Sequence, residues 1–193
     1  MKYIVLLSGG MDSRVLLEDA TQAQENKVLC LGFDYGQKHY IELDYAKRIA
    51  LKKAVPFKVI NLCGVFGGQS QLLGGLGSPV VENRNACFLH LACAVAESGG
   101  YEQVLFGANK DDYEGFPDCR PEFVERLNQT LMAAQLNVRV VAPYQDLTKR
   151  EIAQRGKELG VDFSETMSCY SGVDGGCGKC DACKKREVAL CGL

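Results

Sequence analysis

The sequence has no long apolar run, no marked excess of charge of either sign, no internal repeat and no low-complexity tract. Each absence excludes something. A helical membrane span takes about 20 consecutive apolar residues, and no segment approaches that. The 22 Lys and Arg against 24 Asp and Glu leave a formal net charge of −2. The basic excess that marks a nucleic-acid surface is therefore missing, and small-molecule chemistry is expected instead. Met1 to Leu7 run directly into Ser8-Gly9-Gly10, without the longer apolar core and small-residue cleavage site of a signal peptide. A cytoplasmic protein is expected. Its 193 residues, 47% of them hydrophobic, are ample for one domain with a small appendage.

Short apolar runs alternate with segments of helical periodicity. Strands are expected over residues 3–7, 27–33, 57–62, 102–106 and 138–142. Helices are expected from Asp12, over 39–53, over 84–98, and through Phe123, Leu127 and Leu131 behind Pro121. Residues 84–98 are apolar almost all round and predict a buried helix. Thr148 and Glu151 have capping-box spacing, with Gly160 closing that helix. The Gly-rich stretch 63–83 reads as a functional lid or a disordered loop. This alternation predicts an α/β fold, a doubly wound five-stranded parallel sheet. An α/β domain over 1–165 is expected, with a C-terminal metal-binding segment, 166–193, packed on it.

Two absences shape the reading of Ser8-Gly9-Gly10-Met11-Asp12-Ser13. It lacks the Lys-Ser/Thr of a Walker loop and the third Gly of a dinucleotide fingerprint. What remains is a Gly pair between the first strand and the first helix, which lets an anion approach the backbone. Two hydroxyls and a helix N-terminus face the same place. An acidic residue inside a phosphate loop suits a Mg²⁺ ion, which gives Asp12 its expected role. The bland alternative is a plain turn with Asp12 as the N-cap.

Cys169, Cys177, Cys180 and Cys183 crowd the C-terminus. Such crowding in a chain with no secretion signal favours a metal over disulfides. Four thiolates fill a tetrahedral Zn²⁺ shell and leave no open position, so a structural role is expected. An iron–sulfur cluster is the rival reading.

These motifs, with Tyr35-Gly36-Gln37, His39, Glu42-Leu43, Arg84-Asn85, the loop Asp112 to Arg120 and Ser168-Cys169-Tyr170, occur in the order of one family. The chain resembles the 7-cyano-7-deazaguanine synthase (QueC) family of ATP pyrophosphatases over nearly its whole length. The resemblance implies an adenine nucleotide alpha hydrolase-like fold. It also implies a ligase that adenylates 7-carboxy-7-deazaguanine, adds ammonia to give the amide, and dehydrates the amide in a second activation. ATP, Mg²⁺ and Zn²⁺ are the implied cofactors, and a homodimer the implied assembly. ATP would lie over Ser8, Gly9, Gly10, Met11, Asp12 and Ser13, with Leu7 and Asp34 at the strand ends near the adenine. Asp12, Ser13 and Lys149 are the implied catalytic set. Tyr35, Gln37, His39, Arg84, Asn85, Asp112, Asp118 and Arg120 are the implied substrate contacts. Asp112 or Asp118 would read the guanine-like edge, and Arg84 or Arg120 would hold the carboxylate or a phosphate.

The chain departs from the family pattern at Arg14, Glu114 and Val81-Glu82-Asn83, and in a shorter stretch before Arg84. A shortened lid keeps open a second reading, in which the activated acyl group goes to another amine, including one on a protein. A non-catalytic nucleotide or zinc module is a third. A tRNA sulfur-transfer enzyme would want a reactive cysteine near the pocket, where Cys119 is the one candidate.

Overall fold

A computed structural model describes residues 1–193. Five strands form one parallel sheet in the order β3-β2-β1-β4-β5. They are β1 (Lys2–Leu6), β2 (Lys27–Asp34), β3 (Phe57–Asn61), β4 (Gln103–Leu105) and β5 (Arg139–Val141). Six helices accompany them: α1 (Met11–Ala20), α2 (Ile41–Lys52), α3 (Arg84–Gly99), α4 (Pro121–Ala133), α5 (Lys149–Glu158) and α6 (Asp181–Leu190). The fold class expected from the sequence is the one observed.

Successive strand residues point to opposite faces, and here both faces are covered. Ile4, Leu31, Val104 and Val140 pack beneath Leu89 and Ala92 of α3 and Leu127 and Leu131 of α4. Val5, Cys30 and Leu105 pack against Leu16 of α1, Ile49 of α2 and Ile152 of α5. That is why these strands read as continuous apolar runs rather than alternating ones. On the exposed edge of the sheet, Asn128 of α4 stands in for a sixth strand. Its amide donates to Val140 O at 2.8 Å and accepts from Val140 N at 2.9 Å.

Several expectations need adjustment. α3 is not buried all round: Leu89, Ala92, Cys93 and Ala96 face the sheet, while His90 and Ala94 are exposed. A helix on the outside of a sheet buries only one stripe, whatever its composition. α2 begins at Ile41 rather than at His39, because residues 38–40 form a turn. The Gly-rich stretch holds a 3₁₀ turn, Gln71–Leu73, whose Leu72 is buried. α6 was not expected; its polar sequence shows no helical stripe. The capping box of α5 is present as expected, with Thr148 Oγ1 accepting from Glu151 N and Glu151 Oε2 accepting from Thr148 N. No helix is long and apolar enough to cross a membrane.

The two connections that leave β1 and β4 go opposite ways along the sheet, because β1 is followed by β2 on one side and β4 by β5 on the other. Their carboxyl ends therefore part and open a crevice, the usual ligand position in such sheets.

Candidate active site and metal centre

The crevice is a cavity of about 300 Å³, lined by the loop after β1, the turn before α2, the start of α3, the loop after β4, Lys149 of α5 and one face of α6. Leu7, Ser8, Gly10, Met11, Asp12 and Ser13 all line it. Gly10 is the N-cap of α1 and makes no side-chain cap bond, so the first-turn N–H groups are left for a ligand. The loop is braced by its own hydroxyls. Ser13 Oγ donates to Gly10 O at 3.0 Å and accepts from Ser8 N at 3.3 Å. Gly9 faces away from the cavity. It has φ +82°, and a Cβ there would lie 2.3 Å from Glu42 O, so only glycine lets the loop close on α2. Gly9 O accepts from Met167 N at 2.8 Å, which stitches the C-terminal segment to the loop.

Behind the loop runs a chain of charged groups. Lys149 Nζ lies 2.7 Å from Asp12 Oδ2 and 3.3 Å from Asp112 Oδ2. Lys185 Nζ of α6 lies 3.3 Å from Asp112 Oδ1. Asn109, fully buried, donates to both carboxylates, at 3.2 Å to Asp12 and 2.8 Å to Asp112. Burial pushes the Asp12 carboxyl above its ordinary range, with Lys149 opposing the rise. Burial also works to lower the pKa of Lys149, but Asp12 and Asp112 outweigh it and hold the ammonium above the ordinary lysine range. Asp12 Oδ1 is buried without a partner, an open acceptor in the loop after β1.

The other half of the cavity is aromatic. Phe88 stacks on Phe33 with centroids 4.1 Å apart and lies 5.5 Å from Tyr35. The Arg84 guanidinium sits over both Tyr35 and Phe88 and donates to Tyr35 Oη at 3.2 Å. Tyr35 Oη lies 3.4 Å from His39 Nε2, which lies 3.2 Å from Glu42 Oε2. Burial holds the Tyr35 hydroxyl above its usual range. Asn85 and Cys119 close the wall. Burial pushes the Cys119 thiol up to about 12, which removes the reactive thiolate that sulfur transfer would want.

Not every expected residue reaches the cavity. The Gln37 amide is spent on Phe33 O, Tyr35 N and Glu42, so it shapes the turn that carries Tyr35 and His39. Asp34 accepts from Gly36 N and Cys63 Sγ, away from the lining. Asp118 and Arg120 lie outside the wall, and Arg120 Nε is bonded to Tyr113 O at 2.8 Å. Arg14 points into the α1–α2 packing, 2.6 Å from Glu18, which Lys53 also meets at 2.6 Å. Glu42, Phe88, Asn109, Lys185 and Arg186 were not among the expected site residues. Asn109 was legible in principle, since it follows β4 at the point where the strand order reverses.

The four C-terminal sulfurs lie within 4.8 Å of one another. A tetrahedron with metal–sulfur bonds of 2.3 Å has sulfurs about 3.8 Å apart, so one ion fits with little movement. Lys179 N and Cys180 N donate to Cys177 Sγ at 3.5 and 3.4 Å, and they lower that thiol to about 6. The basic residues beyond do not all face the sulfurs. Lys185 reaches Asp112, and Arg186 donates to Thr166 Oγ1 and Phe163 O.

Residues 2–192 match the family model described as queuosine biosynthesis protein QueC. The chain is 39% identical to 7-cyano-7-deazaguanine synthase 1 of Colwellia psychrerythraea, over 98% of this chain and 93% of that protein. Among solved structures, the U34-tRNA thiolase NcsA of Methanococcus maripaludis, with its [4Fe-4S] cluster, aligns with a TM-score of 0.60 at 15% identity. That alignment covers 98% of this chain but 63% of the thiolase. NMN synthetase of Francisella tularensis aligns with a TM-score of 0.56 at 16% identity, over 97% and 74% of the two chains. At such identities these two likenesses establish a shared fold.

Proposed function

Because the chain belongs to the QueC family, we propose that it is an ATP-dependent C–N ligase that converts 7-carboxy-7-deazaguanine and ammonia into 7-cyano-7-deazaguanine. The match over nearly the whole of both chains carries this reading. It favours ammonia over another amine and an enzyme over a binding module.

The conversion must remove both oxygens of a carboxylate, and each adenylation removes one. A carboxylate oxygen attacks the α-phosphorus of ATP, the bond to the bridging oxygen breaks and pyrophosphate leaves. The ammonia lone pair then adds at the carbonyl carbon, AMP departs with the acid oxygen, and the nitrogen sheds a proton to give the amide. The amide oxygen attacks a second ATP in the same way. The second AMP carries that oxygen off as the nitrogen loses its remaining protons, leaving the nitrile.

The residues support these steps from two sides. The free N–H groups of α1 and the Lys149 ammonium suit the phosphates. The partnerless Asp12 Oδ1 suits magnesium, which would neutralise phosphate charge. The faces of Phe88 and Tyr35 suit a flat purine-like ring, and Arg84 suits its carboxylate. Cys169, Cys177, Cys180 and Cys183 would hold zinc, with no position left for catalysis. We place the reaction in the cytoplasm, where ATP and reduced thiols coexist.

Mass spectrometry of a mixture of protein, ATP, Mg²⁺, ammonium and the carboxylate tests the proposal. The expected products are the nitrile and two AMP per nitrile. Accumulation of the acyl adenylate or amide, with no nitrile, would reject it.

A further inference from the structure

The helix that carries two of the four clustered sulfurs also forms a wall of the phosphate cavity. Ala182, Lys185 and Arg186 of α6 all line it, at the i, i+3, i+4 spacing of one helix face. One turn further on, Ala189 is buried with Met11 at the start of α1 and Ala153 of α5. Cys180 is the N-cap of α6 and Cys183 lies in its first turn. The helix is thus pinned at one end by the sulfur cluster and at the other by packing beside the phosphate loop. The segment leading into it is tied to the same loop by Met167 N to Gly9 O.

Lys185 shares its one carboxylate partner, and its other contact is the neutral Asp111 O at 3.3 Å. Asp112 is shared: Lys149 meets one of its oxygens and Lys185 the other, each at 3.3 Å. Two ammonium groups on one carboxylate repel each other, and an incoming polyanion relieves that repulsion. Across the cavity as a whole, Arg84, Lys149, Lys185 and Arg186 face Asp12, Glu42 and Asp112. The Arg186 guanidinium is met only by the neutral Thr166 Oγ1 and Phe163 O. The α6 side is therefore the cationic side.

We propose that Lys185 binds the β- and γ-phosphates of ATP and the pyrophosphate that leaves, and that the metal knuckle serves to place it there. This rests on the ATP-dependent reading above. It gives the knuckle a part in nucleotide binding as well as in folding, without contact between the metal and the substrate.

Calorimetric titration with Mg²⁺ and α,β-methylene-ATP, which is not cleaved between the α- and β-phosphates, and separately with AMP, provides the test. Lys185→Ala should weaken the ATP analogue at least about tenfold, the weight of one charge-assisted hydrogen bond, and leave AMP binding unchanged. Lys185→Arg should recover most of the loss. Lys184→Ala removes the same charge from an exposed neighbour outside the cavity and should leave both affinities as they are. Metal content and Tm, measured for each variant, report the fold. Unchanged analogue binding in Lys185→Ala, equal losses for AMP and the analogue, or an equal loss in Lys184→Ala would each overturn the assignment. A wild-type protein that fails to bind the analogue would overturn the underlying ATP reading instead.

Discussion

Asp12 occupies an unusual position for a carboxylate. One oxygen is paired with Lys149 and Asn109, and the other is buried with no partner beside a helix N-terminus. Lys149 offsets part of the cost of burying this carboxylate, and a cation arriving with a ligand would offset more of it. Asp12→Asn keeps the shape and removes the charge. AMP release should fall on the order of 100-fold or more, while Tm and metal content stay near wild type. Lys149 retains Asp112 in that variant, so the fold should not suffer. Turnover at the wild-type rate would take Asp12 out of the mechanism. At the same scale, Arg14 shows how a departure from the family pattern is absorbed. Burial would raise the pKa of Glu18, but Lys53 and Arg14 outweigh it and hold the carboxyl below its ordinary value. Arg14 therefore belongs to the α1–α2 packing rather than to the loop it follows in sequence.

Two helices illustrate what composition misses. α3 looks buried from its apolar residues, yet it lies on the outside of the sheet with one face open. α6 looks like a polar tail, yet its anchors are two cysteines at the start and Ala189 near the end. A helix of ten residues is marginal in isolation, so α6 depends on those anchors. Cys180→Ser should therefore lower metal content and stability together. Bound metal measured by elemental analysis should drop, and Tm should fall by at least about 5 °C. Full metal occupancy in that variant would remove Cys180 from the ligand set.

At the level of the whole molecule, the cavity is where distant stretches of chain meet: the loop after β1, the turn before α2, the start of α3, the loop after β4, and the segments around Lys149 and α6. A ligand that binds there braces all of them and stabilises only the folded state. At a concentration 100 times its Kd, the gain is about 2.7 kcal/mol, or roughly 5–10 °C in Tm for a chain of this size. Mg²⁺ and α,β-methylene-ATP should produce that shift in a thermal melt. GTP at the same concentration should give less, because a nucleotide that shares the phosphates still has to seat a different base. Equal shifts would show that the pocket does not read the base.

The sequence by itself determined the layered fold, because strands buried on both faces must be apolar throughout and the connecting helices must carry a stripe. It determined the Gly-containing loop after β1 and the sulfur cluster as well, since both are short-range patterns that place residues close in the chain at one spot. It also carried the family, through motifs in a fixed order. Only the tertiary structure decided which side chains share the cavity. Gln37 lies two residues from Tyr35 yet spends its amide on the turn, whereas Lys185 and Asp112 are far apart in the chain and meet at 3.3 Å. Spacing along a chain fixes local geometry. Contacts across the sheet depend on how the elements pack, and that information lies in the whole set of buried residues rather than in any one motif.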